Sequence, residues 1–342
     1  MILILSQSAM EPTTEDVMDW LEALGARCVR LNGDDLDGRA AVRLEIAGDR
    51  ASLALIAGGA SGTGGCELPL SEIGAVWFRR WLLDRRHEMA SLLAETPADS
   101  HKLHYDLRRH LTQESRALST AVFSHFAGLP WLSHPGTSKL NKLDVLRRAA
   151  RAGFATPATL VTTEREELRR FAALHGRVIT KPIGDVDMFV EGELSHFLFT
   201  TELDCAAIEA LPESFAASLF QESLDKQYEL RIFYLAGTCH AMAIFSQSDA
   251  QTRTDFRRYN RERPNRTVPY RLPAETVEHI RLLMDDLGLE TGSIDLLQTR
   301  DGREVFLEIN PVGQFGMVSK PCNYHLEKNV AEHLLRMANH EG

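Results

Sequence analysis

Ser293-Ile-Asp-Leu-Leu-Gln-Thr-Arg-Asp-Gly-Arg-Glu-Val-Phe-Leu-Glu-Ile-Asn310 contains two apolar-rich runs on either side of Asp301-Gly302. An Asp-Gly pair between such runs is a strong signal for a two-residue β-hairpin turn. With those two as turn residues, Arg300 pairs with Arg303 and Asp295 falls directly opposite Glu308. Opposed residues in an antiparallel pair point to one face, with Cβ atoms about 5 Å apart. Asn310 shares that face, because strand side chains repeat every two residues. Two opposed carboxylates repel unless a cation cancels them. Two carboxylates and an amide oxygen form a hard-oxygen set, suited to Mg²⁺ that keeps waters and bridges phosphates. Asn310-Pro311 ends the strand, so the chain turns away at the third candidate ligand.

A metal–phosphate site also needs cations. Moving back along the chain, Arg231 lies in Tyr228-Glu-Leu-Arg-Ile-Phe-Tyr234, a strand that puts Glu229 and Arg231 on one face. Leu219-Phe-Gln-Glu222 precedes it, so Gln221 and Glu222 close another apolar run. Lys181 ends the strand 177–182, and Lys142 stands near the start of an amphipathic helix over 139–152. Any one of these is more often a surface ion pair than a ligand. Their order along the chain is what carries information.

The rest of the chain bounds the answer. Its 342 residues hold 38 Lys+Arg against 48 Asp+Glu, a net charge of −10. At about 150 residues per domain this is two or three domains. The acidity argues against a chain-wide surface for nucleic acid or anionic membrane. Five cysteines without a CxxC pair speak against a disulfide framework or zinc knuckle and point to a reducing cytoplasm. Apolar runs are too short to span a bilayer, and residues 2–5 read as a buried strand. A helix with Thr13 as its cap follows, then a strand at 28–31, which makes a β-α-β opening. Short strands are expected at 42–46 and 52–57. The glycine-rich run 58–65 lacks the GK[ST] ending of a phosphate loop and is read as a connection. Strand 75–81 ends in Arg79-Arg80, and a helical pattern covers 88–126. His101, His104 and His110 lie in it without acidic or cysteine partners at metal spacing. A loop at 133–136 marks a boundary. Helices at 164–174 and 206–211 and a hairpin joining 188–190 to 196–200 follow. The fold class is α/β (α+β), divided at 1–132, 133–217 and 218–342.

Helix lysine, strand-end lysine, apolar-Gln-Glu, Glu-x-Arg strand, then Asp…Glu-x-Asn is an order that resembles the ATP-grasp ligases over most of 135–335. The resemblance implies an ATP-grasp fold behind an N-terminal α/β pre-ATP-grasp domain, with ATP and Mg²⁺ as cofactors. It assigns Lys142 and Lys181 to ATP phosphates and Gln221 and Glu222 to the hinge that meets adenine and ribose. Glu229 joins the nucleotide-binding set, and Arg231 neutralises the γ-phosphate or an acyl phosphate. Asp295, Glu308 and Asn310 become the Mg²⁺ ligands. One departure is that Ile183-Gly-Asp-Val-Asp-Met-Phe-Val190 and the hairpin stand where a Gly-rich lid usually follows the second lysine.

A narrower set of motifs fits that departure. Pro12-Thr-Thr-x-x-Val17, Val76-Trp-Phe-Arg-Arg80, Ser138-Lys-Leu-Asn-Lys142, Asp255-Phe-Arg-Arg-Tyr259 and Val268-Pro-Tyr-Arg-Leu-Pro273 resemble the peptide maturases that make graspetides, the microviridin-type side-chain-linked peptides. The run 310–329 looks most like the grasp-with-spasm branch. The resemblance implies phosphorylation of Asp or Glu side chains on a ribosomal precursor peptide. A Ser/Thr hydroxyl or Lys amine of that peptide then displaces phosphate, giving an ester or amide ring and ADP. It also implies a homodimer and a leader docking near 188–215, with Val190, Phe197 and Phe199 offering an apolar groove; the charge and the cysteines add the expectation of a cytoplasmic protein with no nucleic acid or membrane partner. The acidic core of the precursor is expected near 251–271, where seven Arg meet only Asp255 and Glu262. Arg257 or Arg258 is the candidate contact to its carboxylate, because guanidinium matches carboxylate bidentately. Cys322 has no His/Asp partner at a recognisable spacing and is read as structural. The alternative on the same skeleton is an ATP-grasp ligase joining an amino acid or small amine to a carboxylate.

Overall fold

The computed structural model describes residues 1–36, 40–57, 66–81, 101–184, 189–191, 194–196, 199–249, 251–258, 260 and 262–339. The glycine-rich run 58–65, the first part of the 88–126 helix, and the side chains of Val190 and Phe197 lie outside the described residues. The chain forms two compact units, Met1–Pro135 with His325–Gly342, and Gly136–Tyr324. The last helix, Leu326–Ala338, thus belongs to the unit built from the N-terminal segment.

In the first unit a parallel sheet has the order β2-β1-β6-β7, with β1 Ile2–Ser6, β2 Cys28–Asn32, β6 Ala75–Phe78 and β7 Trp131–Leu132. Ile2 to Leu5 are at most 1% exposed, as a strand covered on both faces requires. The two short strands expected at 42–46 and 52–57 are β3 Ala40–Ala47 and β4 Arg50–Ala57, which pair antiparallel and are extended by β5 Cys66–Glu67. The first helix, Pro12–Ala23, differs from expectation at its start. Pro12 takes the first helical position, where its missing N–H is no loss, so the cap is Glu11 and not Thr13. Glu11 makes no side-chain cap bond; its carboxylate faces Arg80 Nε at 3.0 Å and Arg79 Nη2 at 3.6 Å.

The second unit holds two antiparallel sheets and a hairpin. One sheet is ordered β12-β9-β13-β8, from β8 Thr159–Glu164, β9 Val178–Lys181, β12 Thr201–Leu203 and β13 Ser214–Glu222. The hairpin is β10 Phe189–Glu191 with β11 Leu194–His196. The helix expected at 206–211 is observed as Cys205–Ala210, and Ser214 then opens β13.

The other sheet is ordered β16-β15-β14-β17-β18, from β14 Lys226–Leu235, β15 Thr238–Phe245, β16 Arg266–Tyr270, β17 Thr291–Thr299 and β18 Glu304–Asn310. The helices Lys142–Arg151 and Ala274–Leu287 bury one face of it. Leu230, Ile232, Ile294, Leu296, Phe306 and Ile309 meet Val145, Ala149, Ile280 and Met284 there. The opposite face is therefore the face of Glu229, Arg231 and Asp295.

The β17–β18 hairpin differs from the two-residue turn expected. Thr299 N donates to Arg303 O at 2.9 Å, so the loop has three residues, Arg300 to Gly302, with Gly302 at φ 90°. Near the turn Leu296 pairs with Phe306, not with Leu307. Then the register shifts and Asp295 pairs with Glu308, Ile294 with Ile309 and Ser293 with Asn310. Leu307 is the extra residue of a β-bulge. Phe306 faces the helices, so unbroken alternation would send Glu308 there too. The bulge turns Glu308 to the other face, beside Asp295. Among the described residues no helix is long and apolar enough to cross a membrane.

Candidate functional site

Three neighbouring strands build the charged face. Arg231 on β14 is opposite Asp295 on β17, which is opposite Glu308 on β18. Arg231 Nη1 donates to Asp295 Oδ2 at 2.5 Å. Asp295 is 9% exposed, and burial raises its carboxyl above the ordinary range; Arg231 opposes that rise and Glu308 adds to it. Glu308 Oε2 lies 4.0 Å from Lys142 Nζ, which donates to Gly184 O at 3.2 Å. Lys142 is the first residue of its helix because the Asn141 side chain caps it, accepting from Leu143 N and Asp144 N. Asn310 is exposed at the strand end, and its Oδ1 accepts from Val312 N at 3.1 Å as the chain turns.

A cavity of about 480 Å³ opens over this face within the second unit. It is lined by Lys181, Gln221, Glu222, Glu229, Asp295 and Glu308 from the sheets and by Arg257 from the loop after β15. Lys181 ends β9 opposite Leu219 of β13. Burial pushes its pKa down; Glu308 and Asp295 oppose this, and Lys142 and Arg257 add to it. Those five charges act on one another. Gln221 is 1% exposed; its Nε2 donates to Thr159 Oγ1 at 2.8 Å, and its Oε1 is buried with no hydrogen-bond partner. The neighbouring Glu222 accepts from Ala158 N at 2.9 Å through Oε1.

Glu229 is not set up like its neighbours. It is 6% exposed, and Lys226 Nζ and Ser246 Oγ each donate to it at 2.5 Å. Burial raises its carboxyl, and Lys226 works against that. Lys226 was not legible as a site residue. It lies three positions before Glu229, which on a regular strand is the wrong face. A second bulge, at Gln227 between the pairs Lys226–Thr299 and Tyr228–Gln298, brings the two together.

The two candidate arginines are separated by geometry. Arg257 lines the cavity and is held by Asp255, with Nε–Oδ1 at 2.9 Å and Nη2–Oδ2 at 2.7 Å. Arg258 is turned away; its guanidinium lies over the Phe199 ring at 5.1 Å, and Nη2 donates to Thr200 O at 3.4 Å. The arginine-rich stretch as a whole is not one patch. Arg253 joins Arg257 at the cavity, whereas Arg266 stacks on Phe245 at 4.9 Å. Cys322 is 6% exposed, and burial raises its thiol, which suits a structural role.

The arrangement can hold a polyanion against Lys142, Lys181, Arg231 and Arg257, with the carboxylate pair available to a hard divalent cation. Among the described residues no group of three His, Cys, Asp or Glu is placed to hold a metal, so a cation here would use two carboxylates, the Asn310 amide and water.

No protein-family model and no curated protein matches the sequence. Solved structures do match the fold. An ATP-grasp ligase of Chryseobacterium gregarium associated with ribosomally made peptides, in complex with ADP and a leader and core peptide, superposes with a TM-score of 0.81 at 23% identity, over 98% of this chain and 96% of that one. The macrocyclase MdnC of Microcystis aeruginosa, bound with precursor peptide MdnA, gives 0.77 at 24% identity over 98% and 99%. The ATP-grasp ligase PsnB, complexed with a phosphomimetic variant of a minimal precursor, Mg and ADP, gives 0.71 at 19% identity over 98% of each chain. At these identities the likeness is one of fold, and over nearly its whole length this chain has the ATP-grasp fold.

Proposed function

We propose that the protein is an ATP-dependent ligase that closes rings in a ribosomal precursor peptide, joining Asp or Glu side chains to Ser/Thr hydroxyls or Lys amines and releasing ADP and phosphate. The observation that carries this reading is the opposed pair Asp295–Glu308 in one cavity with Lys181 and Arg257. Three proteins of the same fold are described with ADP or a precursor peptide bound, which supports the substrate class.

The residues present fit ATP and Mg²⁺. The buried, unpartnered Gln221 Oε1 is an acceptor suited to an exocyclic amino group. Glu222 continues the same hinge strand. Lys142 and Lys181 supply positive charge for phosphates, and Asp295, Glu308 and Asn310 supply hard oxygens for Mg²⁺. Glu229 serves the nucleotide indirectly, through its ion pair with Lys226 at the cavity wall. ATP, when bound, supplies the phosphoryl group that gives a substrate carboxylate a leaving group. The protein's own part is positioning and charge neutralisation. Arg231, fixed by Asp295, and Arg257, fixed by Asp255, present donors where negative charge gathers. The cavity between the two sheets of the second unit limits water around the activated carboxylate. We take the segment from 133 to the end of β13 at Glu222, five residues past the expected boundary at 217, as the central subdomain, and the segment from there to Tyr324 as the subdomain that brings the carboxylates. The described cysteines Cys28, Cys205, Cys239 and Cys322 are free, which supports a reducing cytoplasm.

The test is mass spectrometry of a precursor encoded beside the gene after incubation with protein and Mg-ATP. The expected result is loss of one water per ring with one ADP released per bond, stopped by a chelator. An unchanged precursor overturns the reading. A gain in mass would instead identify the amine-adding ligase.

A further inference from the structure

We infer that Asp255 is a positioning residue, which holds the Arg257 guanidinium side-on so that its free edge faces the carboxylate of the bound acidic peptide. The inference rests on the proposed ligase reading for the identity of that carboxylate. The Asp255–Arg257 geometry does not depend on it.

Asp255 lines the cavity, yet its oxygens are already used. Oδ1 accepts from Arg257 N at 3.0 Å and from Arg257 Nε at 2.9 Å. Oδ2 accepts from Arg257 Nη2 at 2.7 Å and from Thr200 N at 3.3 Å. An ionised carboxylate offers about four lone-pair sites, and four N–H groups occupy them. The group is 5% exposed. It has nothing left for a ligand or a cation, so it acts through what it holds.

Arg257 is the opposite case. Its side chain is about half exposed, at 50%. A guanidinium has five N–H donors in a planar fork. Asp255 takes the Nε/Nη2 edge and leaves the Nη1/Nη2 edge, which can meet a second carboxylate bidentately. Burial alone would raise the Asp255 carboxyl, but Arg257 and the backbone N–H of Thr200 hold it below the ordinary range, so the pair stays charged at neutral pH. The loop is pinned from the other side as well, since Lys226 Nζ donates to Thr254 O at 3.3 Å. Arg258, the next residue, has no comparable clamp toward the cavity and lies over Phe199. The structure therefore distinguishes two adjacent arginines that the sequence could not.

The experiment is a double-mutant cycle in the full chain, with Asp255→Asn, Arg257→Gln and both together. Asp255→Asn is expected to raise the KM for the precursor peptide by about 10- to 100-fold, the scale on which a mispositioned contact is felt. The KM for Mg-ATP should stay within about twofold and the melting temperature near wild type. The double variant should be no worse than Arg257→Gln alone, because Asp255 works only through that residue. Peptide KM unchanged in Asp255→Asn, or penalties that multiply in the double variant, overturns the inference. Should Asp255→Asn not fold, Asp255→Glu, which keeps the charge but displaces the carboxylate, is read the same way. A second measurement needs no turnover: phenylglyoxal modification of Arg257, followed by peptide mapping, should be several-fold faster once Asp255 is replaced. Wild-type protein that modifies no precursor defeats the ligase reading, whereas Arg257 reacting no faster in the variant defeats this one.

Discussion

The two faces of the five-stranded sheet obey different rules. On the helix-covered face Leu230, Ile232, Ile294, Leu296 and Phe306 form an apolar layer with 0% exposure. On the cavity face the same strands carry Glu229, Arg231, Asp295 and Glu308. Simple alternation suffices for the apolar layer. The charged layer needs two added residues, Gln227 in β14 and Leu307 in β18, to bring Lys226 beside Glu229 and Glu308 beside Asp295. The lesson is that folding and chemistry are assigned to opposite faces, so substitutions on the two should fail in different ways.

The largest effect expected is on the apolar face. Phe306→Ala removes a ring that packs 5.5 Å from Phe154 at the centre of the helix-covered core. It should cost about 4 kcal/mol of stability, read by chemical denaturation, while the folded fraction keeps its turnover number. Asp295→Asn probes the other face. It keeps an acceptor for Arg231 and removes the charge opposite Glu308, so turnover should fall by about 10²- to 10³-fold, or about 3–4 kcal/mol. Its melting temperature should move by only a few degrees. If Phe306→Ala changed the turnover number and Asp295→Asn mainly the stability, the division of labour between faces would be lost.

Lys226→Met tests a place where the two rules meet, since this cavity-face pair is itself buried. Removing one partner leaves Glu229 without its counter-charge in a dry site, at a cost of about 3 kcal/mol near neutral pH. Burial already raises the Glu229 carboxyl. A raised acid weakens the fold increasingly as pH climbs above its unfolded pKa, where folding must either bury the charge or take up a proton, and costs nothing once it is protonated in both states. The deficit of the variant should therefore shrink as pH falls through the acidic range, in parallel denaturation curves. A deficit independent of pH would mean that Lys226 acts by packing alone.

Most of the fold was legible because it rests on local periodicity. The β-α-β opening, the helix at Lys142 and the carboxylate-bearing hairpin all follow from apolar spacing and turn chemistry. What escaped depends on distant partners. Thr13 is a better cap than Glu11 by local preference, yet Glu11 takes the position and its carboxylate serves Arg79 and Arg80, which come much later in the chain. The bulges left no trace either, because an extra residue in a strand does not alter composition. Asp295 was placed opposite Glu308 from a two-residue turn. The true loop is one residue longer, and Leu307 restores the pairing. Arg257 and Arg258 lie in a loop with no period, so nothing in sequence could say which one faces the cavity.

That compensation can be tested at the turn itself, where the smallest effect is expected. Gly302 sits at φ 90°, a left-handed conformation that a side chain resists, and a Cβ added there meets no atom within 4 Å. Gly302→Ala should therefore cost only about 1 kcal/mol, from backbone strain and not from collision. Turnover should be unchanged, because the bulge at Leu307, nearer the cavity, sets the orientation of Glu308 independently of the turn. A loss of turnover beyond about twofold would show that the register of the charged face is set at the turn after all, and that the bulge merely follows it.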